Sequence, residues 1–281
     1  MSAGAALSPG RVTPARRANP PTPDFMNVAE LDLLKSRLDA RRPLDPAVVR
    51  NLRDDLIVRW TYHSNAIEGN SLTLRETKVV LEGVTVGGKR MTDHLEAINH
   101  RDAILLLEEL VQKRDPLNEW QIKSLHQLIL RGIDDDHAGV HRTVNVRIPG
   151  AEQTPPEALR VPEFMEAFIG WLQTEGETLH PVIRAARIHS DFVKIHPFTD
   201  GNGRTARLLM NLELLRSGWP PVILPVESRL AYYDALDAHH VHGDFAPFME
   251  IMIRLVKDSF QPYWFALGVP EEPGASEHGE L

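Results

Sequence analysis

Apolar positions recur at three- and four-residue spacing through most of the chain, and start signals sit where each run begins, so the pattern predicts helices almost throughout. Asp45 precedes a helix containing LRDDLIVRWTYHSNAI. Thr73 with Glu76, Asp93 with Glu96 and Asn118 with Gln121 have the spacing of capping boxes. Further helices are predicted over 162–175, 180–195, 203–217, 229–239 and 244–260. One segment breaks the rule: residues 143–148, Thr-Val-Asn-Val-Arg-Ile, alternate with period two and are closed by Pro149-Gly150, with Pro155-Pro156 soon after. The expected fold is therefore an all-α bundle from which a short β-hairpin flap projects.

Composition narrows the chemistry. At 281 residues, 42% hydrophobic and 25% charged, the chain has enough apolar surface for one large core. A net charge of −8 and the lack of a sizeable basic cluster argue against a nucleic-acid partner. There is no cysteine, which removes disulfides, thiol nucleophiles and thiolate metal sites together. No apolar run approaches the roughly 18 residues of a membrane span and no signal-peptide core stands near the start, so no membrane partner is expected and the default location is cytoplasmic. Thirteen histidines include His239, His240 and His242, yet neighbours at that spacing on a helix do not converge on one ion.

The densest chemistry lies in Lys194-Ile-His-Pro-Phe-Thr-Asp-Gly-Asn-Gly-Arg-Thr-Ala-Arg207. Pro197 ends one helix at His196, and the next cannot easily begin before Gly203. Gly201 and Gly203 let successive backbone N–H groups turn toward one point, with the positive end of the following helix behind them, which makes an anion cradle. Arg204 and Arg207, three apart on that helix, can fork around phosphate oxygens. Asp200 suits Mg²⁺, a hard cation that takes one carboxylate and completes its shell from phosphates. His196 supplies a base that titrates near neutrality.

With these residues in view, HPFTDGNGRTAR resembles the motif of the Fic family, His-x-Phe-x-Asp/Glu-Gly-Asn-Gly-Arg-x-x-Arg, at every fixed position. The resemblance extends over about 45–260 and is closest to the branch of the metazoan endoplasmic-reticulum Fic enzyme. That branch's membrane anchor and tetratricopeptide repeats have no counterpart here, so a lumenal location is not expected to transfer. Composition marks residues 1–25, rich in Pro, Ala and Arg without periodicity, as a disordered tail and 266–281, ending Gly-, Pro- and Glu-rich, as a flexible one; between them the resemblance implies an N-terminal helical region with an inhibitory helix over 26–92 and a Fic core over 93–265. It implies transfer of AMP from ATP to a Ser, Thr or Tyr hydroxyl of a protein, self-modification included, with a homodimer among the expected partners. His196 would be the base and Asp200 the Mg²⁺ ligand. Gly201, Asn202, Gly203, Arg204, Thr205, Ala206 and Arg207 would bind the phosphates, Val146, Arg147, Ile148 and Pro149 would cover the nucleotide, and Tyr232 and Tyr233 would flank adenine. His240 stands where the branch often has an Asn that addresses adenine or ribose, so that contact is a departure.

Ser64 and Glu68 lie four apart on one helix face and Gly69 suits a helix end. Ser-Asn-Ala-Ile-Glu-Gly resembles the family's inhibitory motif, which implies that Glu68 reaches Arg207 and blocks the γ-phosphate. Two other readings stand beside AMP transfer. The same site could remove AMP from a modified protein, or serve a catalytically silent nucleotide-sensing module. Transfer of UMP or phosphocholine also remains open.

Overall fold

A computed structural model describes residues 28–270, so the expected tail over 1–25 and most of that over 266–281 lie outside the described residues. The described part is helical: α1 (Ala29–Asp39), α2 (Pro46–Ile67), α3 (Leu74–Leu81), α4 (Met91–Lys113), α5 (Glu119–Leu130), α6 (Val161–Leu172), α7 (Pro181–Ile195), α8 (Asn202–Arg216), α9 (Arg229–His242), α10 (Ala246–Ser259) and α11 (Gln261–Ala266). Leu267 and Val269, assigned to the C-terminal tail by the sequence, instead pack against the core. Among the described residues no helix is long and apolar enough to cross a membrane.

The start signals explain most boundaries. Asp45 accepts from the Ala47 N–H with Pro46 in the first turn. Thr73 with Glu76 and Asn118 with Gln121 close both halves of a capping box. The third expected box does not form. Helix α4 begins two residues earlier than Asp93, whose buried carboxylate accepts from Ser71 Oγ and Arg90 instead, while Glu96 turns toward α8. Partners for both carboxylates, Arg90 and Ser71 for Asp93 and the remote Arg204 for Glu96, replace the capping box.

Helices α7 and α8 form the spine. Val182, Ala185 and Ala186 of α7 and Met210 and Leu214 of α8 face one apolar cluster with α1, α9, α10 and α11. Ile188, Phe192, Leu208, Leu209 and Leu212 face a second with α4, α5 and α6. A helix buried on nearly all sides must satisfy each polar group it carries. Asn211 does so by pairing with the backbone N–H and C=O of Val222 at 2.7 and 2.8 Å. This spine fixes the loop between α7 and α8, where the candidate chemistry stands.

The expected β-hairpin over 143–148 does not form: among the described residues there is no strand. The period-two alternation survives as exposure, with Val146 and Ile148 half-buried and Arg147 exposed between them. What is missing is a partner, because the backbone N–H and C=O of Val146 and Arg147 make no hydrogen bond among the described residues. An extended segment without a neighbour has no ladder.

Candidate active site

Pro197 lacks an N–H and crowds the preceding residue, so α7 stops at His196, which adopts a left-handed conformation, φ 50° and ψ 59°, while its N–H still reaches Phe192 O at 3.0 Å. For a residue with a Cβ this conformation costs about 1–2 kcal/mol, and it persists only where surrounding contacts impose it. They do so from several sides. Asn202 clamps the loop by accepting from Phe198 N–H and donating to Phe198 O, both at 2.9 Å. His126 of α5 accepts from Gly139 N–H at Nδ1, which leaves the proton on Nε2 to donate to Asp200 O at 2.9 Å. Its ring stacks on Phe198 at 3.6 Å. Burial lowers the His126 pKa to about 4, so the ring stays neutral and the tautomer is fixed. Gly201 has φ 73°, and a Cβ there would press on the His126 ring at 3.2 Å.

The α8 N-terminus opens toward the end of α2, and there the two arginines part company. Arg207, 2% exposed, donates from Nε to Ser64 Oγ at 3.1 Å and from Nη2 to Ser64 O at 2.8 Å and Glu68 Oε1 at 2.7 Å. Its Nη1 is buried without a partner. A Cβ built on Gly203 would collide with Glu68 Oε1 and lie 3.1 Å from Arg207 Nη1. The Glu68 carboxylate therefore lies against Gly203 and Arg207 at the start of α8. Burial pulls the Arg207 pKa down, but the Glu68 charge and hydrogen bond together with the Tyr232 and Tyr233 hydroxyls outweigh it, and the net shift is upward. Arg204 does not share this contact. It is held between Glu96 Oε1 and Asp200 Oδ2, each at 3.0 Å.

Asp200 stands at the mouth with its side chain 66% exposed, Oδ1 accepting from Gly201 N–H at 2.6 Å. Among the described residues no group of three or more His, Cys, Asp or Glu side chains is placed to hold a metal ion. His196 is half-buried, and burial together with the Arg142 charge lowers its pKa to about 4. The imidazole is thus neutral, and able to take a proton, through the physiological range.

The other expected contacts scatter. Tyr233 is partly exposed beside the cradle, its hydroxyl donating to Ile67 O at 3.4 Å. Tyr232 is buried, its hydroxyl 3.2 Å from His189 Nε2. His240 donates from Nε2 to Ser190 O at 2.9 Å and ties α9 to α7. Thr205 and Ala206 are fully buried, Ala206 within the second apolar cluster. Three residues that sequence reasoning passed over prove central: His126, Glu96 and Arg142. His126 alone left a trace, since it falls on the apolar face of α5 between Ile122 and Ile129.

Residues 116–214 match a family model described as the Fic/DOC family. The chain is 36% identical over 250 residues to protein adenylyltransferase fic-1 of Caenorhabditis elegans, covering 86% of this chain and 49% of that protein. It is 38% identical over 205 residues to protein adenylyltransferase Fic of Nematostella vectensis, covering 72% and 47%. Among solved structures, residues 134–508 of C. elegans Fic-1 superpose with a TM-score of 0.78 at 34% identity, covering 86% of this chain and 72% of that one. A Fic domain containing signaling protein from Bacteroides thetaiotaomicron gives 0.78 at 28%, covering 86% and 99%. The chain spans about half the length of the curated relatives it matches.

Proposed function

The chain belongs to the Fic/DOC family, and from that premise we propose that it transfers AMP from ATP to a hydroxyl side chain of a protein, restrained by its own Glu68. The observation that carries this reading is the Glu68 carboxylate on Arg207, filling the space left open by Gly203. A site that already receives one anion oxygen beside a helix N-terminus, an arginine and a neutral imidazole is built for a phosphate chain and a proton acceptor.

With Glu68 withdrawn, Arg207 turns its free Nη1 and its released Nη2 to the distal phosphate, and the first turn of α8 takes the inner ones. Asp200 is the residue placed to hold Mg²⁺, which when bound neutralises phosphate charge. His196 accepts the proton of the incoming hydroxyl. The hydroxyl oxygen bonds to the α-phosphorus, the bond from that phosphorus to the bridging oxygen breaks, and its electron pair leaves with pyrophosphate. No covalent enzyme intermediate is needed, because such transfer depends on position and electrostatics. Val146 and Arg147 offer backbone N–H and C=O groups that make no hydrogen bond among the described residues, and a target segment adding there as a strand supplies the missing neighbour. Tyr233 lies on the adenine side. Incubation with Mg²⁺ and ATP labelled at the α- or the γ-phosphate tests the reading. Protein should acquire the α-label alone, and acquisition of the γ-label would replace AMP transfer with phosphate transfer.

A further inference from the structure

Arg142 is 2% exposed, yet among the described residues no carboxylate meets its guanidinium. Burying a guanidinium is costly unless its donors are used. Here they go to three backbone carbonyls from three places in the chain: Nε to His196 O at 2.8 Å, Nη1 to Val144 O at 3.1 Å and Nη2 to Pro156 O at 2.5 Å. The backbone N–H of Arg142 adds a fourth tie, to Pro197 O at 2.9 Å. Val144 and Pro156 bracket the extended segment that carries Val146 to Pro149, whose base is closed again by Ala158 N–H on Asn145 Oδ1 at 2.7 Å.

We propose that Arg142 is a positioning residue that sets the base and the target-pairing segment in one register. The left-handed backbone of His196 is strained, and Arg142 fixes the two carbonyls, of His196 and Pro197, whose directions define that turn. The same guanidinium fixes both ends of the segment on which a target would lie. The hydroxyl delivered by that segment and the imidazole that deprotonates it are thus referred to one rigid planar group with forked donors, a role a point charge fills poorly. The phosphate cradle has separate supports in Asn202 and His126, so nucleotide binding is independent of Arg142.

The inference rests on the AMP-transfer reading, and its test carries a readout that does not. Arg142→Lys and Arg142→Ala are made in the Glu68→Gly protein. Single-turnover AMP transfer should fall by about 10- to 100-fold, as a misplacement of about 1 Å can cost, while the Kd of a non-hydrolysable ATP analogue stays within about twofold. The lysine variant should keep more activity than the alanine one. Independently of catalysis, amide exchange should quicken at Arg142, His196 and Ala158 while the Phe198 amide, held by Asn202, stays protected. Unchanged rate with unchanged exchange overturns the proposal. So does a loss of nucleotide affinity as large as the loss of rate, or failure of both variants to fold, since each would make Arg142 a purely structural residue. Absence of AMP transfer in the Glu68→Gly parent would refute the functional reading instead, and the exchange pattern would still decide the role of Arg142.

Discussion

At the scale of single residues, the site separates groups that bind from groups that react. Removing the His196 imidazole should abolish transfer yet leave ATP affinity nearly unchanged, because among the described residues no hydrogen bond joins its ring to Asn202, Gly203 or Arg207. A parallel loss of affinity would assign the base elsewhere. Burial and Arg142 put the His196 pKa at about 4, so protonation cannot remove the base until well below pH 6. With Glu68→Gly as the active form, kcat/KM measured on folded protein should hold level from pH 7.5 to about pH 5.5, where an unperturbed histidine would already be mostly charged. Gly203→Ala is the sharpest steric probe. Its Cβ would evict Glu68 and also fill the cradle, so the variant should lose the brake and bind ATP at least about tenfold more weakly, a contact of only ~1.4 kcal/mol. Titration with the ATP analogue checks this. The motif spelled out His196, Asp200, Gly203 and Arg207 by type and spacing. It could not say that Arg204 is spoken for by Glu96, because that partner lies 108 positions away in the chain.

At the scale of elements, α2 is a core helix that, on the proposed reading, also carries the brake. Trp60 and Ile67 bury its inner face, whereas Glu68 lies just past its last turn, where the carboxylate can leave without unpacking the helix. Arg207 would keep its bonds to Ser64 Oγ and O, and the Glu68 side chain is 30% exposed already. Glu68→Gly is therefore expected to shift Tm by no more than about 2–4 °C, near 1 kcal/mol for a chain of this size, rather than by the ~3–5 kcal/mol of a stranded buried charge. Glu68→Gln should activate partially, since it keeps the shape and loses the charge. Melting curves read beside transfer rates check both. Helix existence was legible from periodicity and capping at Asp45, Thr73 and Asn118, because those signals are local. The strand at 143–148 was not, because alternation describes a segment ready to pair, while pairing needs a second strand that the described residues do not supply. The α4 start was missed because Asp93 pairs with Ser71, 22 positions back in the chain, and with Arg90 at the N-cap itself, rather than capping the helix.

At the scale of the whole molecule, the spine of α7 and α8 carries an unusual number of neutral buried imidazoles around it. Burial lowers the pKa of His100 and His239 to about 3, of His126, His196 and His240 to about 4, and of His189 well below its usual value. Each binds a proton in the unfolded chain near pH 6.5 that it refuses when folded. Stability from these groups is complete above that pH and is lost as pH falls from about 6.5 toward 4. Asp191, Glu213 and Asp258 oppose this, their carboxyl pKa values being raised by burial, but they are fewer. Tm should thus drop steeply between pH 6.5 and 5, and a flat profile there would mean that the histidines are solvated or paired in solution. The same packing brings Glu68 of the α2 end onto Arg207 of α8, and on the proposed reading that contact decides activity. The most direct test is intact-mass measurement of AMP addition with Mg²⁺ and saturating ATP, in wild type, Glu68→Gly and Glu68→Gly with His196→Ala. Loss of a charge-assisted Arg–carboxylate contact worth about 1.5–3 kcal/mol predicts about 10- to 100-fold faster gain of one AMP in the Glu68→Gly protein, and none in the double variant. Equal rates in wild type and Glu68→Gly would contradict the account, because the carboxylate on Arg207 would then be no brake at all.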